Sequence, residues 1–268
     1  MARRSATALL LLVLIAPAVY FGGILFFLYV AAFVLAATWE YVRMFSLMNY
    51  QPSMAVSLGG VLLILGARAF APQGAGAALA LAVLVAMTVH LLAYERGRDQ
   101  AAVDFGITVG GVAYLGWIAA YMNDLRALPN GGWWIMLIFP VVWLADSGAY
   151  MIGVKYGRHK MLPRLSPHKS WEGYFAGVVG GTLCGAFFAY TYSRFGPLHI
   201  SVWQGAWLGL VLSVVTTLGD VGESLFKRFA GVKDSGTFLP GHGGAFDRID
   251  SLIWAGVIGY YCVRFLIA

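Results

Sequence analysis

Long apolar runs alternate with short polar passages along the whole of this chain. A helix needs about 20 mainly apolar residues to cross a bilayer core. Nine stretches meet or approach that length, near 5–22, 24–43, 54–70, 76–94, 101–121, 132–154, 173–193, 201–219 and 251–267. The opening Met1-Ala2-Arg3-Arg4 and its apolar run have the form of a signal peptide. The run continues almost unbroken to Ala37, too long for a signal core, so it reads as retained helices divided at Pro17 and Gly22-Gly23. The pattern predicts an all-α, polytopic integral membrane protein of about nine transmembrane helices, one membrane domain overall. Residues 1–130 supply its N-terminal helices. Residues 131–268 supply a catalytic region that carries two polar passages, 155–172 and 220–250.

Composition agrees. The chain of 268 residues is 60% hydrophobic and 11% charged, against about 25% charged for soluble domains. Cys184 and Cys262 both lie in apolar segments and read as small buried hydrophobes, not a disulfide or a zinc site. A net charge of +6 in a soluble protein would suggest nucleic acid. Here it follows topology, and anionic lipid is the natural partner. With the predicted spans, Arg68, Arg126, Arg194 and Arg264 fall on one side and the other fourteen of the eighteen Lys/Arg on the opposite side. Positive residues concentrate on the cytoplasmic side. The expected topology follows: N-terminus inside, C-terminus outside, and the polar passages facing the cytoplasm from a multi-pass inner (plasma) membrane protein.

The passage Asp220–Asp250 is the longest polar stretch and holds five of the twelve acidic residues. Charge held between membrane spans marks a functional site by default. Asp220, Glu223, Ser224 and Lys227 recur at helical spacing and share one stripe if the preceding helix continues. Asp247 and Asp250, three apart, share a face at the start of the last apolar segment. Carboxylates suit Mg²⁺, which commonly pairs one or two of them with substrate phosphates. Lys227, Arg228, Lys233 and Arg248 suit phosphate oxygens. Gly243 and Gly244, after His242, allow backbone N–H groups to approach an anion. Together these residues describe metal-assisted phosphoryl or nucleotidyl transfer. Each also has a plainer use. Asp247 with Asp250 can cap a helix, the basic residues can anchor the chain at the interface, and His242 alone is more often a hydrogen-bonded polar residue than a ligand.

The second passage, 155–172, is strongly basic, and Pro163 and Pro167 exclude a continuous helix. Charge alone favours an ordinary cytoplasmic loop. Asp146, late in an apolar span, is expected to face a polar cavity with nucleotide or metal. His90 reads as a hydrogen-bonded interior residue, and Asp104 and Glu40 as interfacial. Glycines 177, 180, 181 and 185 have the small-xxx-small spacing of packed membrane helices.

The longer passage resembles the signature of the phosphatidate cytidylyltransferases. That signature falls on Ser224, Phe226, Lys227, Arg228, Lys233, Asp234, Gly236, Leu239, Pro240, His242, Gly243, Gly244, Asp247, Arg248 and Asp250. Ala245 stands where the family usually has a larger apolar residue. Asp146-Ser147-Gly148-Ala149-Tyr150 and Ser166-Pro167-x-Lys169-Ser170-x-Glu172-Gly173 resemble two further motifs, with Ser170 in place of the usual Thr. Residues 140–255 carry the resemblance, and the first 130 match in hydropathy alone. The resemblance implies CTP and phosphatidic acid as substrates and a two-cation site of Mg²⁺ with a second ion such as K⁺. Asp220, Asp247 and Asp250 would hold it, and Lys169 and Ser170 would close over the nucleotide. It is compatible with a homodimer, and no nucleic acid enters. Alternatives from the residues themselves are a CTP-dependent polyprenol or lipid-alcohol kinase, which would need His242 as a base, an anion transporter, and a non-catalytic scaffold. No internal symmetry favours the transporter, and the three aspartates oppose the scaffold.

Overall fold

The computed structural model describes residues 13, 15–236 and 243–267. Leu239, Pro240 and His242, and most of the expected span at 5–22, lie outside the described residues; 15–21 are helical. The helices that follow are α1 (Gly23–Ser46), α2 (Met54–Phe70), α3 (Ala75–Glu95), α4 (Ala101–Gly111), α5 (Tyr121–Ala127) and α6 (Gly131–Tyr156). After a hairpin of β1 (Lys160–Leu162) and β2 (Ser166–Ser170) come α7 (Trp171–Phe195), α8 (Val202–Val215), α9 (Thr217–Phe229) and α10 (Phe246–Ile267). Among the described residues, seven helical stretches are long and apolar enough to cross a membrane; α2 is shorter. The expected all-α polytopic architecture is therefore present.

Three details depart from expectation. The basic passage is not a plain loop: β1 and β2 pair antiparallel, with Lys160 opposite Ser170. The span expected at 101–121 runs to Ala127 and changes hand-hold midway, as Val112–Ile118 forms a π-helix between α4 and α5. The eighth expected span does not stop at 219. After a break at Thr216 the helix continues as α9 to Phe229, which carries Asp220, Glu223, Ser224 and Lys227 along one helix as their spacing predicted.

The chain divides into two compact units. One unit contains residues up to Asp124 together with Phe226–Ile249; the other contains Leu125–Leu225 with the chain from Asp250 onward.

In the second unit, α7 carries two stripes of period four. Gly173, Gly177, Gly181, Gly185 and Ala189 are buried, while Phe175, Val179, Leu183 and Phe187 are exposed. The small stripe lets backbones approach closely, the usual basis of helix association in lipid. A Cβ on Gly177 would lie 2.9 Å from the Ala145 carbonyl oxygen of α6. Gly181 and Gly185 meet Ser213, Gly205 and Gly209 of α8 in the same way. Gly180, one residue off the stripe, has nothing within 4 Å of its would-be Cβ, so the packing expected of the glycines belongs to 177, 181 and 185.

The first unit has an apolar core of Ile64, Ala78, Ala82 and Val112. Its polar end is tied by Asp104, which accepts from the Gln51 N–H at 2.7 Å and from Arg98 Nε at 2.8 Å. The hydrogen bond to Asp104 raises the Arg98 pKa above its ordinary value. Asp104 is fully buried. His90 is hydrogen-bonded inside, its Nε2 2.9 Å from Thr108 Oγ1, as expected. Thr108 donates to the Asp104 carbonyl and accepts from Ser53 N–H, so its one hydrogen is committed and His90 Nε2 must be the donor. An aromatic group closes the unit: Phe226 of α9 stands edge-on to Tyr41 at 5.4 Å and stacks on Phe246 at 6.3 Å.

The stripe makes a paired prediction for thermal unfolding of the purified protein in detergent. Gly209→Ala drives a methyl into the Gly181 backbone and is expected to cost about 1–3 kcal/mol. Gly180→Ala enters open space and is expected to cost nothing measurable.

Candidate active site

α9 and α10 position most of the predicted residues. Their surroundings fall into two groups, one in each unit.

In the second unit, Asp220, Glu223 and Asp250 each present a carboxylate oxygen within 4.8 Å of the other two. Glu223 and Asp250 are almost fully buried. Asp220 is reached by Lys169 Nζ at 2.7 Å, and Ser224 Oγ donates to it at 3.4 Å. Asp146 lies within electrostatic range of Lys169 and Asp220. The hairpin thus delivers Lys169 to the acidic group, which accounts for a strand pair within so short a passage. Ser170 beside it is buried and occupied otherwise: its Oγ accepts from Gly173 N–H at 3.2 Å and caps α7. A Cβ on Gly157 would collide with that hydroxyl. Glu172 at the start of α7 accepts from the His159 backbone N–H, and its Oε1 is 2.6 Å from His159 Nδ1.

In the first unit, Asp247 is a hub. Its Oδ1 accepts from Lys227 Nζ at 2.6 Å. Its Oδ2 is reached by Gly244 N–H at 2.8 Å, Ser235 Oγ at 3.0 Å and Ser235 N–H at 3.1 Å. Gly243 has φ +83° and needs glycine for that reason. Gly244 needs it for space, because a Cβ there would meet Ser235 Oγ and Glu40. Glu40, expected at the interface, is 1% exposed. It accepts from Ala245 N–H, Phe246 N–H and Ser235 Oγ at 2.8–2.9 Å. The helix-start bonds anticipated for Asp247 and Asp250 are therefore made largely by Glu40. Ala245 is fully buried there. Lys233, Arg228 and Arg248 are exposed.

Sequence reasoning thus grouped Asp247 with Asp220 and Asp250. The structure gathers Glu223 with that pair and engages Asp247 with Lys227 and Ser235. Glu223 was legible on the Asp220 stripe, though its place in the acidic group was not drawn from it. Glu40 gave only the faint signal of a carboxylate inside an apolar run.

Three carboxylates within reach of one another beside a lysine, on helices long and apolar enough to cross a membrane, define a membrane protein with a charged centre. The chain belongs to the cytidylyltransferase family, whose model matches residues 2–266. That match takes in the N-terminal helices, beyond the stretch where motifs alone carried the resemblance. The chain is 34% identical over 257 residues to a phosphatidate cytidylyltransferase of Staphylococcus epidermidis, covering 94% of each. Proteins of the same name from Staphylococcus haemolyticus and Staphylococcus aureus are each 33% identical, again over 94% of both chains.

The Lys227–Asp247 pair is largely buried, with side chains 11% and 13% exposed. Removing one partner strands a charge, so Lys227→Ala is expected to destabilise by up to about 3–5 kcal/mol. Lys233→Ala, at an exposed position, should stay within about 0.5 kcal/mol. Thermal unfolding of both variants checks the difference.

Proposed function

We propose that this protein transfers CMP from CTP to phosphatidic acid, releasing pyrophosphate and forming CDP-diacylglycerol for phospholipid synthesis. The observation that carries the reading is the group of Asp220, Glu223 and Asp250 with Lys169 against it, in a chain of this family.

A phosphate oxygen of the lipid attacks the α-phosphorus of CTP. The new P–O bond forms as the bond to the β-phosphate oxygen breaks, and pyrophosphate leaves. Both reactants are anions, so the barrier is mainly charge repulsion and positioning. The nucleophile is already an anion, and no general base is needed. Lys169 can turn from Asp220 to the nucleotide phosphates. Lys227, Arg228, Lys233 and Arg248 are the further basic groups assigned to phosphates in this reading, and Gly243 is one of the described glycines in left-handed geometry. Ser170 supports Lys169 through the helix cap and does not need to touch substrate.

The donor set of Asp220, Glu223 and Asp250 fits a hard divalent ion such as Mg²⁺. Bound there, the ion would neutralise charge on the triphosphate. A second cation such as K⁺, a homodimer and a site open to the cytoplasm of the plasma membrane belong to the same proposal. The side bias of Lys and Arg supports the orientation.

The test is transfer of radiolabel from cytidine-labelled CTP into lipid by purified protein, with Mg²⁺ present or chelated. Label should enter lipid with phosphatidic acid and Mg²⁺ and not with a polyprenol. Transfer of γ-phosphate to polyprenol without cytidine would overturn the reading. Asp220→Asn is expected to fold and to lose at least about 10²-fold in turnover; turnover near wild type would remove the acidic group from the chemistry.

A further inference from the structure

Glu40 sits in α1, some two hundred residues before the passage it serves, and is too buried to touch substrate. All three of its hydrogen-bond donors come from that passage. Two are backbone N–H groups at the start of α10, where the preceding residue, Ala245, has no side-chain oxygen with which to satisfy them. The third is Ser235 Oγ, which also reaches Asp247. A carboxylate at a helix N-terminus is favoured by the helix dipole as well. Two glycines are shaped around it: a Cβ on Gly236 or on Gly244 would run into the Glu40 side chain.

We propose that Glu40 is a positioning residue for the transfer reaction: it pins Ser235, the turn at Gly243–Gly244 and the first turn of α10, and through them the Asp247–Lys227 pair. The role rests on the reaction proposed above. A single carboxylate thus binds Ser235 on one side and Ala245 and Phe246 on the other.

Glu40→Gln tests it. The amide is isosteric, but whichever way it turns, its NH₂ faces an N–H donor. Turnover, counted per CTP-binding molecule, should fall by about 10–10²-fold, the scale of a misplaced catalytic group. KM for CTP should move far less, since binding and positioning separate in this way. A merely structural role would lower the number of folded molecules and leave turnover per molecule unchanged. Hydrogen exchange of a peptide covering 243–250 should quicken by about tenfold for the lost bonds. Unchanged turnover per molecule, or unchanged exchange, in folded Glu40→Gln overturns the proposal. If that variant does not fold, Ser235→Ala decides in its place: a loss in turnover of a few-fold or more supports the pinning, and wild-type turnover overturns it. A wild-type protein that transfers no cytidylyl group overturns the reaction and the role together. A wild type that transfers normally beside an unaffected Glu40→Gln overturns the role alone.

Discussion

A carboxylate withdrawn from water must find donors or a cation, because leaving it unpaired costs several kcal/mol. The polar parts of this protein are arranged by that requirement. Asp104 is satisfied by Arg98 and the Gln51 N–H, Asp247 by Lys227, Ser235 and Gly244, and Glu40 by the start of α10. The Asp104 bond to Gln51 and the Glu40 bonds tie together segments far apart in sequence. The loops hold their shape because acids are buried beneath them.

This gives the family's motif residues two kinds of work. Asp220, Asp250 and Lys169 converge with Glu223 in one charged group, which the proposed reaction assigns to a cation and a phosphate. Gly236 and Gly244 make room for Glu40, and Ser170 caps a helix. A residue in a signature is therefore not thereby a ligand. The glycine-rich turn that invites comparison with a phosphate cradle owes at least one of its glycines to a buried acid.

Membrane helices were legible because length and hydropathy are local properties, and the polar stripe of α9 was legible because its period is helical. What escaped was set by distance. Glu40 meets partners 195 to 206 positions away, and no period in the sequence records such a bond. The hairpin at 160–170 escaped because Pro163 and Pro167 argue against a helix without arguing for a strand pair. The grouping of Asp247 with Asp220 and Asp250 came with the family resemblance; spacing placed only Asp247 and Asp250 on one face. Spacing fixes which face a side chain occupies and not which partner waits there.

The glycine seam of α6, α7 and α8 bears on how this sequence can change over generations. Every amino-acid change reachable by one base from a glycine codon introduces a Cβ. Gly181, Gly185, Gly205 and Gly209 each have that space filled by a facing residue. None of them has a near neighbour in the genetic code that fits, so the seam cannot drift by small steps. The exposed apolar stripe of the same helix, Phe175, Val179, Leu183 and Phe187, can exchange one apolar residue for another freely. One helix thus carries a frozen edge and a fluid edge, and the rate at which each position diverges among descendants should follow which way it faces.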